Sequence, residues 1–159
     1  MTKQIKIFII NLKQKTDLKN EMIAKLSYFP FEYEFIDAVY GKDLDNNYFI
    51  ENNIKIDPKF RNPYTLSAIT MGEIGCSLSH YNAWKMAIEQ DIMYPIILED
   101  DAVINNNFYE LVNNIISLNK TFDLIYFGRK SFVPDKKDVC KIDDKYKLVV
   151  PAFSYWTVG

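Results

Sequence analysis

The sequence predicts an α/β fold in which helices flank a mostly parallel sheet. A β-branched run at residues 5–12, IKIFIINL, is typical of a central strand. A helical pattern and a second strand at residues 33–36 follow it, and this β-α-β order indicates parallel strands. A third apolar run at residues 94–98 leads directly into three carboxylates. Acids in that position would lie at the carboxyl edge of the sheet, where open α/β sheets bind ligands.

The first half of the chain supplies the remaining elements of this sheet. Thr16 or Asp17 is expected to cap the first helix. The apolar face of that helix consists of Leu18, Met22, Ile23 and Leu26. Residues 43–52 predict a short helix, and Pro58 and Pro63 break the polar stretch around them.

A long helix is expected over residues 77–89, preceded by GEIG at residues 72–75, whose glycines allow either a close backbone approach or a turn. Two neighbouring stripes run along it, Tyr81, Trp84 and Ile88 in one and His80, Ala83 and Ala87 in the other. Further along, the pattern predicts a helix at 108–118, a strand at 122–127, an exposed hairpin or loop at 136–145 and a last strand at 147–150.

Composition narrows the class of protein. The chain has 159 residues, which predicts one domain spanning residues 1–159. Its net charge of -2 argues against a nucleic-acid partner. Cys76 and Cys140 have no metal-ligand spacing and are expected to be free thiols in a reducing compartment. The sequence shows no signal peptide and no apolar run of about 20 residues, so we expect a cytoplasmic protein.

The strongest chemical signal is Glu99-Asp100-Asp101. Three adjacent carboxylates repel one another, and a hard divalent cation such as Mg²⁺ or Mn²⁺ would remove that repulsion. Side-chain alternation in an extended segment would point Glu99 and Asp101 to one side, with Asp101 as the main ligand. The alternative is a polar strand end whose acids cap a helix or face water.

Other candidate residues have two interpretations each. His80 is the sole histidine and is either a site residue or a structural one. Asp37 follows a strand as a turn former or a ligand contact. Arg129 could pair with a diphosphate or remain a solvated loop cation. A Ser-His-Asp hydrolase is disfavoured because no G-x-S-x-G elbow is present.

The order of these segments resembles glycosyltransferase family 25, the lipooligosaccharide glycosyltransferases. The resemblance rests on four motifs: a strand ending in Asn11-Leu12, a turn of the form F-x-D/A-V-x-G, the run GEIGCSLSHYNAW and the strand ending LEDDA. The resemblance implies a GT-A-like, Rossmann-like fold, a UDP-sugar donor and a divalent metal, Mn²⁺ or Mg²⁺. It implies that Glu99, Asp100 and Asp101 hold the metal. It also implies donor-binding roles for Asn11, Leu12, Asp37, Ala38, Gly72, Glu73, Ser79, His80 and Asp100.

The activity expected from this resemblance is transfer of a hexose, galactose in the first instance, to a lipooligosaccharide, lipopolysaccharide or related glycan or glycolipid. The acceptor base is not assigned. Family members run on beyond the position of Gly159, so the acceptor half is expected to be missing. The alternatives are an inactive donor-binding remnant and, more distantly, a phospho-accepting receiver-like domain. Peripheral membrane association and self-association are further expectations.

Overall fold

A computed structural model describes residues 4–62, 65–127 and 135–151. The chain divides into two compact units, Met1–Val103 and Ile104–Gly159. The expectation of a single domain over residues 1–159 stays a prediction. Among the residues named in the sequence-based predictions, Pro63, Arg129 and Gly159 lie outside the described residues.

The first unit is built on a parallel three-stranded sheet. Its strands are β1 (Ile5–Asn11), β2 (Glu32–Asp37) and β3 (Tyr94–Glu99), in the spatial order β2-β1-β3. Both pairings are parallel, which confirms the predicted parallel sheet flanked by helices. The β-branched run of β1 occupies the central position, where strands are covered on both faces.

The register of this sheet brings the polar strand ends together. Asn11 pairs with Asp37, and Ile10 pairs with Glu99. The three strands therefore end within one residue of the same level at the carboxyl edge. The predicted convergence of these polar strand ends is confirmed.

The first unit contains three α-helices, α1 (Thr16–Leu26), α2 (Asn46–Glu51) and α3 (Met71–Glu89). A 3₁₀ turn, Gly41–Asp43, precedes α2. The prediction that Thr16 or Asp17 caps α1 is wrong: both lie inside the helix, which begins after Lys15 without a side-chain cap. The free-energy cost of the missing side-chain cap is reduced, because Asp17 places its negative charge in the first turn, where the helix dipole favours it.

Helix α3 begins six residues earlier than predicted. The segment GEIG at residues 72–75 is helical, so its interpretation as a turn is wrong. Thr70 accepts a hydrogen bond from the backbone N–H of Glu73, and the Glu73 side chain accepts one from the backbone N–H of Thr70. This reciprocal capping box satisfies two N–H groups at the helix start, which offsets the low helix propensity of the glycines.

One face of α3 packs on the sheet. The shared core consists of Phe8, Ile10, Ile36, Ala83, Ala87 and Ile92. Small residues at Ala83 and Ala87 let the helix approach the strands closely. The neighbouring stripe faces outward, since Tyr81 and Ile88 are 59% and 79% exposed.

The second unit contains α4 (Phe108–Ser117) and an antiparallel hairpin of β4 (Asp135–Lys141) and β5 (Lys147–Pro151). The helix and the hairpin agree with the prediction. The strand predicted at residues 122–127 is wrong, because this segment is irregular. Apolar content alone suggested a strand there, whereas Leu124 and Tyr126 are about half exposed.

None of the helices that the structure describes has both the length and the apolar character needed to cross a bilayer.

Candidate functional site

A cleft of about 420 Å³ opens at the carboxyl edge of the sheet. Its walls come from the ends of β1 and β3, the segment after β2, and the first half of α3. Among the residues proposed from sequence, those that line it are Leu12, Ala38, Gly72, Ser79, His80, Glu99 and Asp100. The volume falls in the range of small-molecule sites.

Asn11 lies at the end of β1 and is 5% exposed. Its side-chain amide donates one hydrogen bond to Asp100 Oδ2, at 2.7 Å, and another to the carbonyl oxygen of Lys15, at 3.1 Å. The two acceptors fix the amide and thereby the orientation of the Asp100 carboxylate. Asn11 therefore serves the cleft by holding Asp100.

The acidic triplet does not continue the strand. β3 ends at Glu99, and a turn closed by the Ala102 N–H and the Glu99 carbonyl, at 3.0 Å, contains the next two residues. The alternation expected for an extended segment therefore stops at Glu99. Glu99 and Asp100 both line the cleft, whereas Asp101 is exposed and does not.

Three unlike side chains meet at the base of the cleft. His80 Nε2 lies 3.1 Å from Glu99 Oε1, and the Cys76 thiol lies 3.9 Å from the same oxygen. Their candidate metal-ligand atoms all lie within 4.8 Å of one another. Cys76 was not predicted as a site residue, although its i, i+4 spacing from His80 on a helix could have indicated it.

The electrostatics of this group favour ionised forms of His80 and Glu99. Cys76 first and Glu99 second, both hydrogen-bonded to the imidazole, raise the pKa of His80 from 6.5 to about 9, against the opposing effect of burial. The His80 imidazole in turn holds the pKa of the Glu99 carboxyl below its usual value. At neutral pH the pair is therefore an imidazolium and a carboxylate.

Ser79 shapes the cleft wall. Its hydroxyl accepts a hydrogen bond from the backbone N–H of Val39, at 2.8 Å, and donates one to the carbonyl of Gly75, at 2.7 Å. A methyl group at Gly75 would lie 2.6 Å from the carbonyl oxygen of Val39, so only glycine allows this approach. The segment after β2 is thus held against α3, and both Val39 and Ser79 line the cleft.

Besides Asn11 and Asp101, two further predicted residues do not line the cleft. Asp37 forms an exposed ion pair with Lys13, at 3.0 Å. Glu73 caps α3 and also accepts a hydrogen bond from Asn62, at 2.6 Å. The hydrogen bonds from Thr70 and then Asn62 lower the pKa of Glu73, which keeps its cap ionised.

Two lysines add positive charge to the cleft lining. Lys15 follows β1, and Lys42 follows β2 within the 3₁₀ turn. Both side chains are exposed, so their ammonium groups can approach a ligand with little desolvation. The polar stretch at residues 42–61 was expected near the site, but Lys42 was not predicted to have a role of its own.

Comparison with known proteins identifies the family of this chain. The family model for glycosyltransferase family 25 (LPS biosynthesis protein) matches residues 4–150. The chain is 35% identical to procollagen galactosyltransferase 1-A of Xenopus laevis, over 96% of this chain and 26% of that protein. It is 35% identical to procollagen galactosyltransferase 2 of Homo sapiens, over 96% and 25% respectively.

The chain is also 30% identical to the inactive glycosyltransferase 25 family member 3 of Homo sapiens, over 96% of this chain and 26% of that protein. It spans about a quarter of the length of the curated relatives it matches. Nearly the whole chain is covered in each comparison, and the family match includes every residue that lines the cleft. The chain therefore belongs to glycosyltransferase family 25.

Proposed function

We propose that this chain transfers a hexose, galactose from UDP-galactose, to a lipooligosaccharide, lipopolysaccharide or related surface glycan. The observation that carries the proposal is the composition of the cleft. Carboxylates at Glu99 and Asp100 and cations at Lys15 and Lys42 line one opening at the carboxyl edge of the sheet. The similarity to procollagen galactosyltransferases supports galactose as the sugar.

A divalent cation, Mn²⁺ or Mg²⁺, belongs to this proposal. Carboxylate oxygens suit hard cations, and the Asn11 amide fixes the Asp100 carboxylate in one orientation. Asp100 is the main ligand in our proposal, with Glu99 beside it, whereas Asp101 is exposed and does not line the cleft. When bound, the ion would neutralise charge developing on the leaving nucleoside diphosphate.

Two lysine side chains would also neutralise charge on the leaving nucleoside diphosphate. Lys15 and Lys42 line the cleft together with Asp100. Ammonium groups there would attract the diphosphate and orient it toward the metal-binding acids. The segment after β2, which Ser79 and Gly75 hold in place, would form the adjoining wall of the donor pocket.

Binding of UDP tests the cation proposal. Calorimetric titration with and without Mn²⁺ should show metal-dependent binding to the wild type and a loss of about tenfold or more in Asp100→Asn. Asp101→Asn is the matched control, since this neighbouring acid does not line the cleft. Equal binding without metal, or equal losses in the two variants, would contradict the assignment of Asp100.

A second candidate function is donor binding without transfer. The similarity to an inactive family member of Homo sapiens favours it. Assays of UDP-galactose hydrolysis and of transfer to a glycan acceptor separate the two functions. Turnover supports the enzyme, and UDP binding without any turnover supports the donor-binding protein.

The proposed acceptor suggests a place of action. Precursors of surface glycans are glycolipids, so we place the chain in the cytoplasm, in peripheral contact with the inner face of the cytoplasmic membrane. Recovery in the membrane fraction that is released by salt would support this location. Recovery in the soluble fraction at low salt, in cells that make the glycan, would contradict the membrane contact.

A further inference from the structure

We propose that Cys76, His80 and Glu99 form a second cation site, selective for Zn²⁺ over the hard cations Mg²⁺ and Mn²⁺. The zinc site shares Glu99 with the proposed Mn²⁺ or Mg²⁺ site, whereas Cys76 and His80 belong to the zinc site alone, and zinc binding can be measured without glycosyl transfer. A thiol, an imidazole and a carboxylate converge so that one potential ligand atom from each lies within 4.8 Å of the others. All three side chains are partly buried and line the cleft.

The distances fit a tetrahedral zinc ion. With Zn–S of about 2.3 Å and Zn–N and Zn–O of about 2.1 Å, tetrahedral angles place sulfur and oxygen about 3.6 Å apart and nitrogen and oxygen about 3.4 Å apart. The thiol lies 3.9 Å and the imidazole Nε2 3.1 Å from Glu99 Oε1. Small side-chain rotations would therefore suffice to bring the three atoms into the first coordination sphere.

The fold positions these three ligands before any metal binds. Cys76 and His80 are four residues apart on one face of α3, a spacing that helical metal sites use. Glu99 ends β3, which pairs with the central strand β1. Helix α3 is anchored to the sheet through its buried face.

The ligand types determine the selectivity. Sulfur and imidazole nitrogen favour Zn²⁺, whereas Mg²⁺ and Mn²⁺ favour oxygen. Three protein ligands are the pattern of an open zinc site, in which a water or ligand oxygen completes the coordination. The alternative is a simple His80–Glu99 ion pair with a neighbouring thiol, and such a pair would not bind zinc.

Cobalt substitution tests the site, because Co²⁺ bound to a thiolate gives a near-ultraviolet charge-transfer band. The purified chain with Co²⁺ should show this band at one equivalent, and added Zn²⁺ should abolish it. Cys76→Ser should lose the band. Cys140→Ser is the matched control and should keep it, because Cys140 lies on the hairpin strand β4.

Calorimetry with Zn²⁺ alone gives a second readout. Zn²⁺ binding should weaken by about tenfold or more in each of three variants, Cys76→Ser, His80→Gln and Glu99→Gln. Because the three substitutions are separate, a folding defect in one of them does not invalidate the test. Asp100→Asn should keep Zn²⁺ binding even as it loses Mn²⁺-dependent UDP binding, so the two proposals can fail separately. Absence of Zn²⁺ binding to the wild type, or a cobalt band that persists in Cys76→Ser, would overturn the proposal.

Discussion

Replacement of Gly75 by alanine perturbs the close contact between α3 and the segment after β2. The new methyl carbon would lie 2.6 Å from the carbonyl oxygen of Val39 and 3.0 Å from the backbone nitrogen of Gly41. Carbon–oxygen contacts are normally about 3.3 Å or longer, so the helix and the segment would have to separate by roughly 0.7 Å. The neighbouring atoms are backbone and cannot rotate away.

Two free-energy terms of opposite sign decide the outcome. Overpacking of this kind costs about 1–3 kcal/mol. Alanine gains about 1 kcal/mol over glycine in a helix interior, which offsets part of that cost. We expect Gly75→Ala to lower the free energy of unfolding by up to about 2 kcal/mol, or the melting temperature by up to about 8 °C for a chain of this size.

Gly72→Ala is the matched control on the same helix. A methyl group there would meet only the Thr70 hydroxyl, at an ordinary distance of 3.9 Å. Its stability should be unchanged or slightly higher. Because Val39 and Gly41 line the cleft, Gly75→Ala should also weaken UDP binding. Thermal unfolding measures the stability of each variant, and calorimetry measures its affinity for UDP. A Gly75→Ala variant as stable as the wild type, with unchanged UDP binding, would show that the close contact at Gly75 is not required.

The remaining predictions concern the charges of the cleft. Asn11→Ala should weaken Mn²⁺-dependent UDP binding by about tenfold, because the Asp100 carboxylate loses the hydrogen bond that orients it. Calorimetry measures this affinity, and an unchanged value would contradict the role of Asn11. Lys42→Ala should lower the affinity for UDP and make that affinity less dependent on ionic strength. An unaltered salt dependence would exclude a contact between Lys42 and the diphosphate. The raised pKa of His80 implies that its stabilising effect is fully present below pH 6.5 and is lost as pH rises through about 9. Denaturant unfolding of the metal-free chain over that range should show this loss in the wild type and not in His80→Gln.

Much of the sheet could be predicted because local sequence determines it strongly. The β-branched run of β1 and the proline-bounded run before Glu99 identify buried strands, and their parallel pairing follows from the helices between them. The convergence of Asn11 and Asp37 at the same edge follows in turn. The start of α3 was also encoded, in the T-x-x-E box of Thr70 and Glu73, but the glycines of that segment suggested a turn.

The geometry of the site was less predictable because it depends on contacts between distant segments. Asp100 enters the cleft because a turn replaces the strand after Glu99, and alternation alone could not show that. Lys42 joins the lining through the 3₁₀ turn, and Cys76 through the register of α3 against β3. Ser79 was predicted near the donor, yet its hydroxyl is used inside the protein, by Val39 and Gly75.

The central claim is that UDP and a divalent cation bind together at Asp100. A crystal of the chain grown with UDP and Mn²⁺ tests it directly, since anomalous scattering locates manganese without ambiguity. We expect one manganese bonded to the Asp100 carboxylate and to the diphosphate, with UDP in the cleft between Lys15 and Lys42. Manganese bound only at the exposed Asp101, or UDP outside this cleft, would contradict it.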